Sequence, residues 1–509
     1  FVDGRYTLQA KNQSGKYFEV VTFPKRMPKD ILKEKKLVLG FDPKLFTTKT
    51  LKTFFFKTHC KLQPINNNLI DKIWKRKIKK NKSKFYNLPY NSVGNKYETK
   101  INKTVSYLKK IGADFQLITA SENNAWLLNI RGHDSKFSPV PHSYILLDKQ
   151  KNLKFFCDTE KISGNFKRYF KKIRFFELNS LKNLLSNIKK KKFIIDNNTC
   201  SYFFEKIISK HNRFLNYRDP IYYLKSIKTK KEINHIKEAH IQDGVALTKY
   251  LFWIKNNFDR KKISEISASK KLYELRKKNK DFKFLSFPTI SSTGPNGAII
   301  HYKSNDKTNR KLKKNDILLI DSGGQYKWGT TDVTRTTCTG VISSEIKNNF
   351  TRVLKGHIAV VNCNLKKNFN GYYIDKLARK PLIKYGLNYA HGTGHGVGFF
   401  LNVHEGPQAI SNYNKLSLKK GMILSNEPGY YLKNQYGIRI ENLIYVKRIN
   451  KDLVFQNLTF APIDIDLINF DLLNKKERKY LFEYHLKVYS KLSKYLNKKE
   501  KKWLINLIK

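Results

Sequence analysis

The chain has 509 residues, 40% of them hydrophobic, enough apolar material for large cores and too much length for one ordinary domain. The formal charge of +61 invites a polyanionic partner, yet lysine is spread along the whole chain and rises together with Asn, Ile, Phe and Tyr, the mark of codon drift in an AT-rich genome acting on tolerant surfaces. No run approaches the roughly 18 to 20 apolar residues that cross a bilayer, so no membrane partner is expected, and the scattered Cys60, Cys157, Cys200, Cys338 and Cys363 form no C-x-x-C pair, which fits a reducing compartment.

In chain order, FVDGRYTLQA reads as a strand running into a helix start with no methionine before it. A natural beginning, with any targeting segment, is therefore expected upstream of this sequence, and the cytoplasm is the default location. The lysine-rich stretch at 75–95, with KRKIKKNKSK at 75–84 and then Pro89 and Gly94, reads as a first linker, and NYRDP at 216–220 as a second. The expected division is 1–84, 85–218 and 219–509. The basic runs would attract polyanions at low salt without reading sequence. FVDGR precedes KKLVLGFDPKLF (35–46) much as FFCDTE (155–160) precedes KKFIIDNNTCSYF (191–203), which either two copies of one α/β unit or chance similarity of lysine-rich strands would produce.

The third segment opens with a helical pattern over 230–254, where Ile233, Ile236, His240, Val245 and Leu247 recur at approximate helix period. Its texture then changes to short apolar strands with glycine turns. Leu481, Tyr484, Val488, Leu492 and Leu496 predict a closing amphipathic helix.

Within that segment, NDILLIDSGGQYKWGTTDVTRT (315–336) predicts a hairpin. Asp321 ends its first strand, and Asp332, Thr334 and Thr336 share a face of its second. Taken alone, the two aspartates are better explained as turn formers than as a site. NYAHGTGHGVGFFLNVHEGP (388–407) packs three histidines among five glycines, with His395 between Gly394 and Gly396. LSNEPGYY (424–431) and GIRIENLIYV (437–446) read as two strands carrying Glu427 and Glu441, with Arg439 and Glu441 on one face and Ile438 and Ile440 on the other. A carboxylate buried unpaired in such a strand costs several kcal/mol, and Arg439 offers only part of the compensation. Four carboxylates and one imidazole drawn together would repel unless two divalent cations neutralised them. Oxygen-rich ligation favours Mn²⁺, although Co²⁺, Fe²⁺ or Zn²⁺ could bind in vitro.

These blocks, together with SFPTISSTGPNGAIIHY (286–302), NLIDKIWKRK (68–77), AWLLNIRGHD (125–134) and AHIQDGVAL (239–247), closely resemble the Xaa-Pro aminopeptidase family, also called aminopeptidase P, in its long three-domain form. The resemblance implies an α/β and α+β architecture of two creatinase-type α/β domains followed by a pita-bread catalytic domain. It implies a metal set of Asp321, Asp332, His395, Glu427 and Glu441, with Asp332 and Glu441 bridging the ions, Asp321 bidentate, and a hydroxide between the ions attacking the scissile carbonyl. It gives Glu427 and His404 roles in proton handling, places His301, His391 and His404 around the substrate with His301 also counted among the catalytic groups, and makes Arg439 and Tyr431 supports for Asp321. The implied partners are peptides with proline second and another copy of the chain in a homodimer; no specific nucleic acid is expected. Prolidase is the nearest rival within the fold, since methionine aminopeptidases lack the N-terminal domains and creatinase needs no such metal set. A pita-bread protein turned to nucleic-acid binding is the reading from another class, and it would be expected to have lost ligands.

Overall fold

The computed structural model describes residues 1–74 and 81–508 and divides into two compact units. The first comprises Phe1 and residues 21–225; the second comprises residues 2–20 and 226–509. The first expected segment is thus shared between the two units. Residues 75–80 of the predicted first linker lie outside the described residues.

The first unit is built on a six-stranded mixed sheet. Phe115–Ile118 lies at its middle, parallel to Lys192–Ile195 on one side and antiparallel to Tyr144–Asp148 on the other. Leu153–Cys157 and Ile173–Glu177 extend one edge, and Arg213–Asn216 closes the other. Leu117, Leu146, Phe156, Phe193 and Ile195 are buried together under Leu181, Leu185 and Ile208 of the covering helices. Removing each such side chain from water stabilises by about 1.5–3 kcal/mol. The two echoing stretches have the same local order. Val38–Phe41 pairs in parallel with Lys61–Pro64 across helix Thr48–Phe55, and Lys192–Ile195 pairs in parallel with Arg213–Asn216 across helix Tyr202–Ser209.

The second unit surrounds its sheets with helices. Helix Lys230–Asn257 begins at a capping box in which the Thr229 side chain accepts from the Glu232 N–H while Glu232 reaches back to Thr229. Its face with Leu247, Tyr250, Leu251 and Ile254 packs on Leu318 and Ile320 of strand Asp316–Ser322, which pairs antiparallel with both Val333–Thr339 and Ile290–Thr293. Helices Ser344–Val361 and Gly371–Ile383 cover a five-stranded sheet in the order Glu405–Ile410, Gly394–Gly396, Ile423–Asn426, Asn442–Ile449, Asp452–Asn457. The predicted closing helix is Lys475–Leu492, which buries Leu481, Tyr484, Val488 and Leu492; a further helix, Lys498–Ile505, follows it. Among the described residues no helix is long and apolar enough to cross a membrane.

Two stretches expected to be single strands are broken. Ile423–Asn426 stops before Glu427 and the chain resumes as Gly429–Leu432; Tyr436–Arg439 stops before Glu441 and resumes as Asn442–Ile449. The halves belong to different sheets, since Asn426 faces Asn442 in the five-stranded sheet while Gly429 faces Arg439 in a two-stranded one. Pro428 has no N–H to donate at the crossing point. Glu427 and Glu441 therefore sit side by side where a hairpin passes from one sheet to the other, their backbones held from outside: Glu427 N–H donates to Thr393 O at 2.8 Å and Glu441 N–H to Thr334 O at 3.1 Å.

Candidate active site

A cavity of about 520 Å³ in the second unit is lined by Asp321, Asp332, His395, Glu427 and Glu441, with His301, His391, His404 and Arg439. Asp321 comes from a strand whose register sets it opposite Thr334, and Asp332 lies immediately before the partner strand rather than inside it. Between them the chain makes an excursion through Gly324–Tyr326 and Gly329–Thr330, longer than the turn expected from the sequence.

His395 sits in the short strand Gly394–Gly396. A Cβ at Gly394 would meet Ser425 O at 1.9 Å and one at Gly396 would meet Glu405 O at 2.1 Å, so both glycines are dictated by the close approach of the neighbouring strands. The Nδ1 of His395 lies 2.9 Å from Gly396 O, which makes Nδ1 the donor and turns the Nε2 lone pair inward. That Nε2 is 3.4 Å from Asp332 Oδ2 and 3.4 Å from Glu427 Oε1.

One network orders the carboxylates. Arg439 donates through Nη2 to Asp321 Oδ2 at 2.7 Å, through Nη1 to Tyr431 Oη at 2.6 Å and through Nε to Thr334 Oγ1 at 3.1 Å. Thr334 Oγ1 in turn donates to Glu441 Oε2 at 2.8 Å, and Ser425 Oγ to Glu427 Oε1 at 3.0 Å. The Tyr431 hydroxyl also meets His391 Nε2 at 2.9 Å. Behind Glu441, the buried Arg335 donates to its carbonyl at 2.6 Å and to Tyr484 of the closing helix at 2.9 Å. The sequence named Thr334 on the strand face of Asp332 without giving it a role, and did not single out Ser425 or Arg335. Thr334 had a signal, since it shares a strand face with Asp332; Ser425 and Arg335 had none.

The electrostatics show a group short of positive charge. Burial, then the repulsion of Asp321 and Glu427, pushes the Asp332 carboxyl well above the usual range; burial, then Asp332, does the same to Glu441. Burial also raises Glu427. Asp321 Oδ1 is buried with no hydrogen-bond partner among the described residues. The histidines are pressed the other way: His404 is lowered to about 2, first by His395, whose ring centre is 4.1 Å away, and then by burial, while burial and Arg439 lower His391 to about 3. Single ligand atoms of Asp332, His395 and Glu441 all lie within 4.8 Å of one another, which one cation could satisfy, and the orphaned Asp321 Oδ1 with Glu427 supplies oxygen donors for another. The donor set fits two divalent ions.

Fold and site define a metallopeptidase. The sequence profile of metallopeptidase family M24 matches residues 234–448 and that of its C-terminal region 451–509, while a creatinase/prolidase N-terminal domain matches 76–232. The catalytic unit is accordingly of the pita-bread type. A probable Xaa-Pro aminopeptidase P of Laccaria bicolor is 36% identical over 97% of this chain and 81% of its own length, and the Xaa-Pro aminopeptidase 1 of Dictyostelium discoideum 36% identical over 100% and 86%. An X-prolyl aminopeptidase of Caenorhabditis elegans, described as a cytosolic enzyme with a di-nuclear active site, superposes with a TM-score of 0.92 at 29% identity, covering 100% of this chain and 88% of that one. The chain belongs to the Xaa-Pro aminopeptidase P family.

Proposed function

We propose that this protein hydrolyses the bond between an N-terminal residue and a following proline, with Asp321, Asp332, His395, Glu427 and Glu441 holding two divalent ions, Mn²⁺ by preference. The observation that carries the reading is the convergence of four carboxylates and an inward-turned imidazole Nε2 on one cavity, with the carboxyls of Asp332, Glu427 and Glu441 raised by burial. Ions bound there would supply Lewis acidity, polarising the scissile carbonyl and easing deprotonation of the attacking water.

The chain's own residues account for the rest. The scissile nitrogen leaves as an amine only if a proton is delivered to it, and Glu427 is suited to carry one from the water because burial brings its carboxyl closer to neutrality. His404, kept neutral, can hydrogen-bond the peptide carbonyl. His301 and His391, likewise neutral, stand in a cavity whose apolar lining includes Phe287, Ile290 and Ile300, a surface for a pyrrolidine ring. Arg439 and Tyr431 hold Asp321 in place.

Incubation with Mn²⁺ and Arg-Pro-Pro should release free arginine, and Asp332→Ala should abolish release. A folded, metal-loaded protein that releases nothing would overturn the reading. A peptide-length series separates the prolidase alternative, which requires dipeptides to be preferred. Salt-sensitive, sequence-blind nucleic-acid binding without cleavage would favour the binding-protein alternative. A three-domain arrangement, a homodimer and a cytoplasmic location belong to the same proposal by family resemblance; sedimentation at two protein concentrations tests the dimer.

A further inference from the structure

Three residues of the N-terminal stretch 2–20, Arg5, Tyr6 and Gln9, line the same cavity as the carboxylates. Built contacts hold them there. Gly4–Tyr6 is a single 3-10 turn capped by Asp3, whose Oδ1 accepts from the Arg5 backbone N–H at 3.0 Å and from Arg5 Nε at 2.7 Å. Tyr6 Oη lies 2.9 Å from His301 Nδ1, and the two rings meet edge to face with centres 5.3 Å apart. Asp3 engages only the Nε side of the guanidinium, so its terminal nitrogens make no hydrogen bond among the described residues. The cavity thus carries two signs of charge: a carboxylate group, and beside His301 a guanidinium with donors to spare. Lys303 also lines it but is exposed, whereas Arg5 is fixed at both its backbone and its side chain.

A short peptide carries a charge complementary to that guanidinium, its terminal carboxylate. In Xaa-Pro-Yaa the ammonium lies one residue before the scissile bond, and the terminal carboxylate lies past the proline, a reach of about 7–10 Å at roughly 3.3–3.6 Å per residue. With the scissile bond at the metal-binding carboxylates and the proline beside His301, a carboxylate past the proline finds its complement in the Arg5 guanidinium that acts on His301. We propose that Arg5, positioned by Asp3 and Tyr6, is the subsite for the C-terminal carboxylate of short Xaa-Pro-Yaa substrates, an inference that rests on the peptidase reading above. A planar guanidinium offers a carboxylate two parallel donors, which an amide end cannot match.

The test compares Arg-Pro-Pro as free acid and as C-terminal amide, in turnover with Mn²⁺ and in calorimetric binding. The native protein should show a KM for the acid about tenfold below that for the amide, a charge-assisted pair against a neutral one. Arg5→Gln should bring the two together, Arg5→Lys should keep part of the difference, and Asp3→Asn should raise KM for the acid more than it changes kcat. Equal KM and equal affinity for acid and amide in the native protein would overturn the proposal without any variant, as would an Arg5→Gln protein that weakens both alike. Preferential binding of the acid with no cleavage of either peptide would instead sink the peptidase reading and leave the carboxylate subsite standing.

Discussion

At the scale of single residues, the site depends on side chains that face two ways at once. Arg439 serves Asp321, Tyr431 and Thr334 through three different nitrogens, a geometry that lysine with one ammonium cannot reproduce. Arg439→Lys is expected to lower kcat/KM by about 10- to 100-fold and to lower metal content in parallel, the range found for groups that orient ligands; metal analysis of the folded variant checks it. Thr334→Val keeps the shape but removes the donor to Glu441 Oε2 and the acceptor for Arg439 Nε. Its expected effect is a metal affinity weaker by about tenfold or more, read by titration with a chelator. An unchanged affinity would mean that Glu441 is oriented by its backbone alone.

At the scale of elements, the carboxylates are carried by interruptions. Glu427 and Glu441 lie in the gaps where one hairpin changes sheets, and Asp332 lies just before its strand. Periodicity reads such stretches as continuous strands, since apolar residues run through the gap: Ile438 and Ile440 are both fully buried on either side of Arg439. Residue types and spacing were therefore enough to nominate the acidic residues and His395, and alternation put Thr334 and Thr336 on one strand face; that this face meets Glu441 and Arg439 came only from the structure. The sheet crossing was not legible, because it depends on which distant strands pair. Nor was the placing of residues 2–20 in the second unit, because a contact such as Tyr6 with His301 leaves no local pattern. The glycines around His395 were legible as a need for close approach but not as to what approaches. Gly394→Ala tests the structural account: its methyl would lie 1.9 Å from Ser425 O and 2.8 Å from Ser425 C, both backbone atoms, so the strand must shift. The variant is expected to lose at least about 2 kcal/mol of stability, within the range for overpacking, and to bind metal poorly; denaturant unfolding of the metal-free protein measures the first part separately from the second.

At the scale of the whole molecule, the net charge is +61 and most lysines among the described residues are exposed, while several histidines are buried without charge, and the two respond differently to solution conditions. Surface lysines should make retention on polyanionic media fall steeply with salt and show no preference for base sequence. The buried histidines govern acid stability. His485, on helix Lys475–Leu492 and 1% exposed, accepts the Ile463 N–H at its Nε2 over 3.1 Å, so that nitrogen must stay unprotonated. Burial, and then the charge of Arg335, lowers its pKa to about 4, against roughly 6.5 in an unfolded chain. Above pH 6.5 neither state binds the proton and the histidine leaves stability unchanged with pH. Below it the unfolded state takes up a proton that the folded state refuses, so stability falls by about 1.4 kcal/mol per pH unit until the folded pKa is reached, roughly 3 kcal/mol in all. His357, buried and lowered to about 3, adds a slope of the same sign. In chelated protein, urea midpoints measured between pH 7 and 4.5 should show this decline, while His485→Gln, whose amide oxygen can still accept, should decline less steeply by about one proton. The carboxylates of the metal site titrate alike in both proteins and cancel in the comparison. Identical slopes would mean that the ring is charged in the folded state, or that helix Lys475–Leu492 opens before the ring titrates.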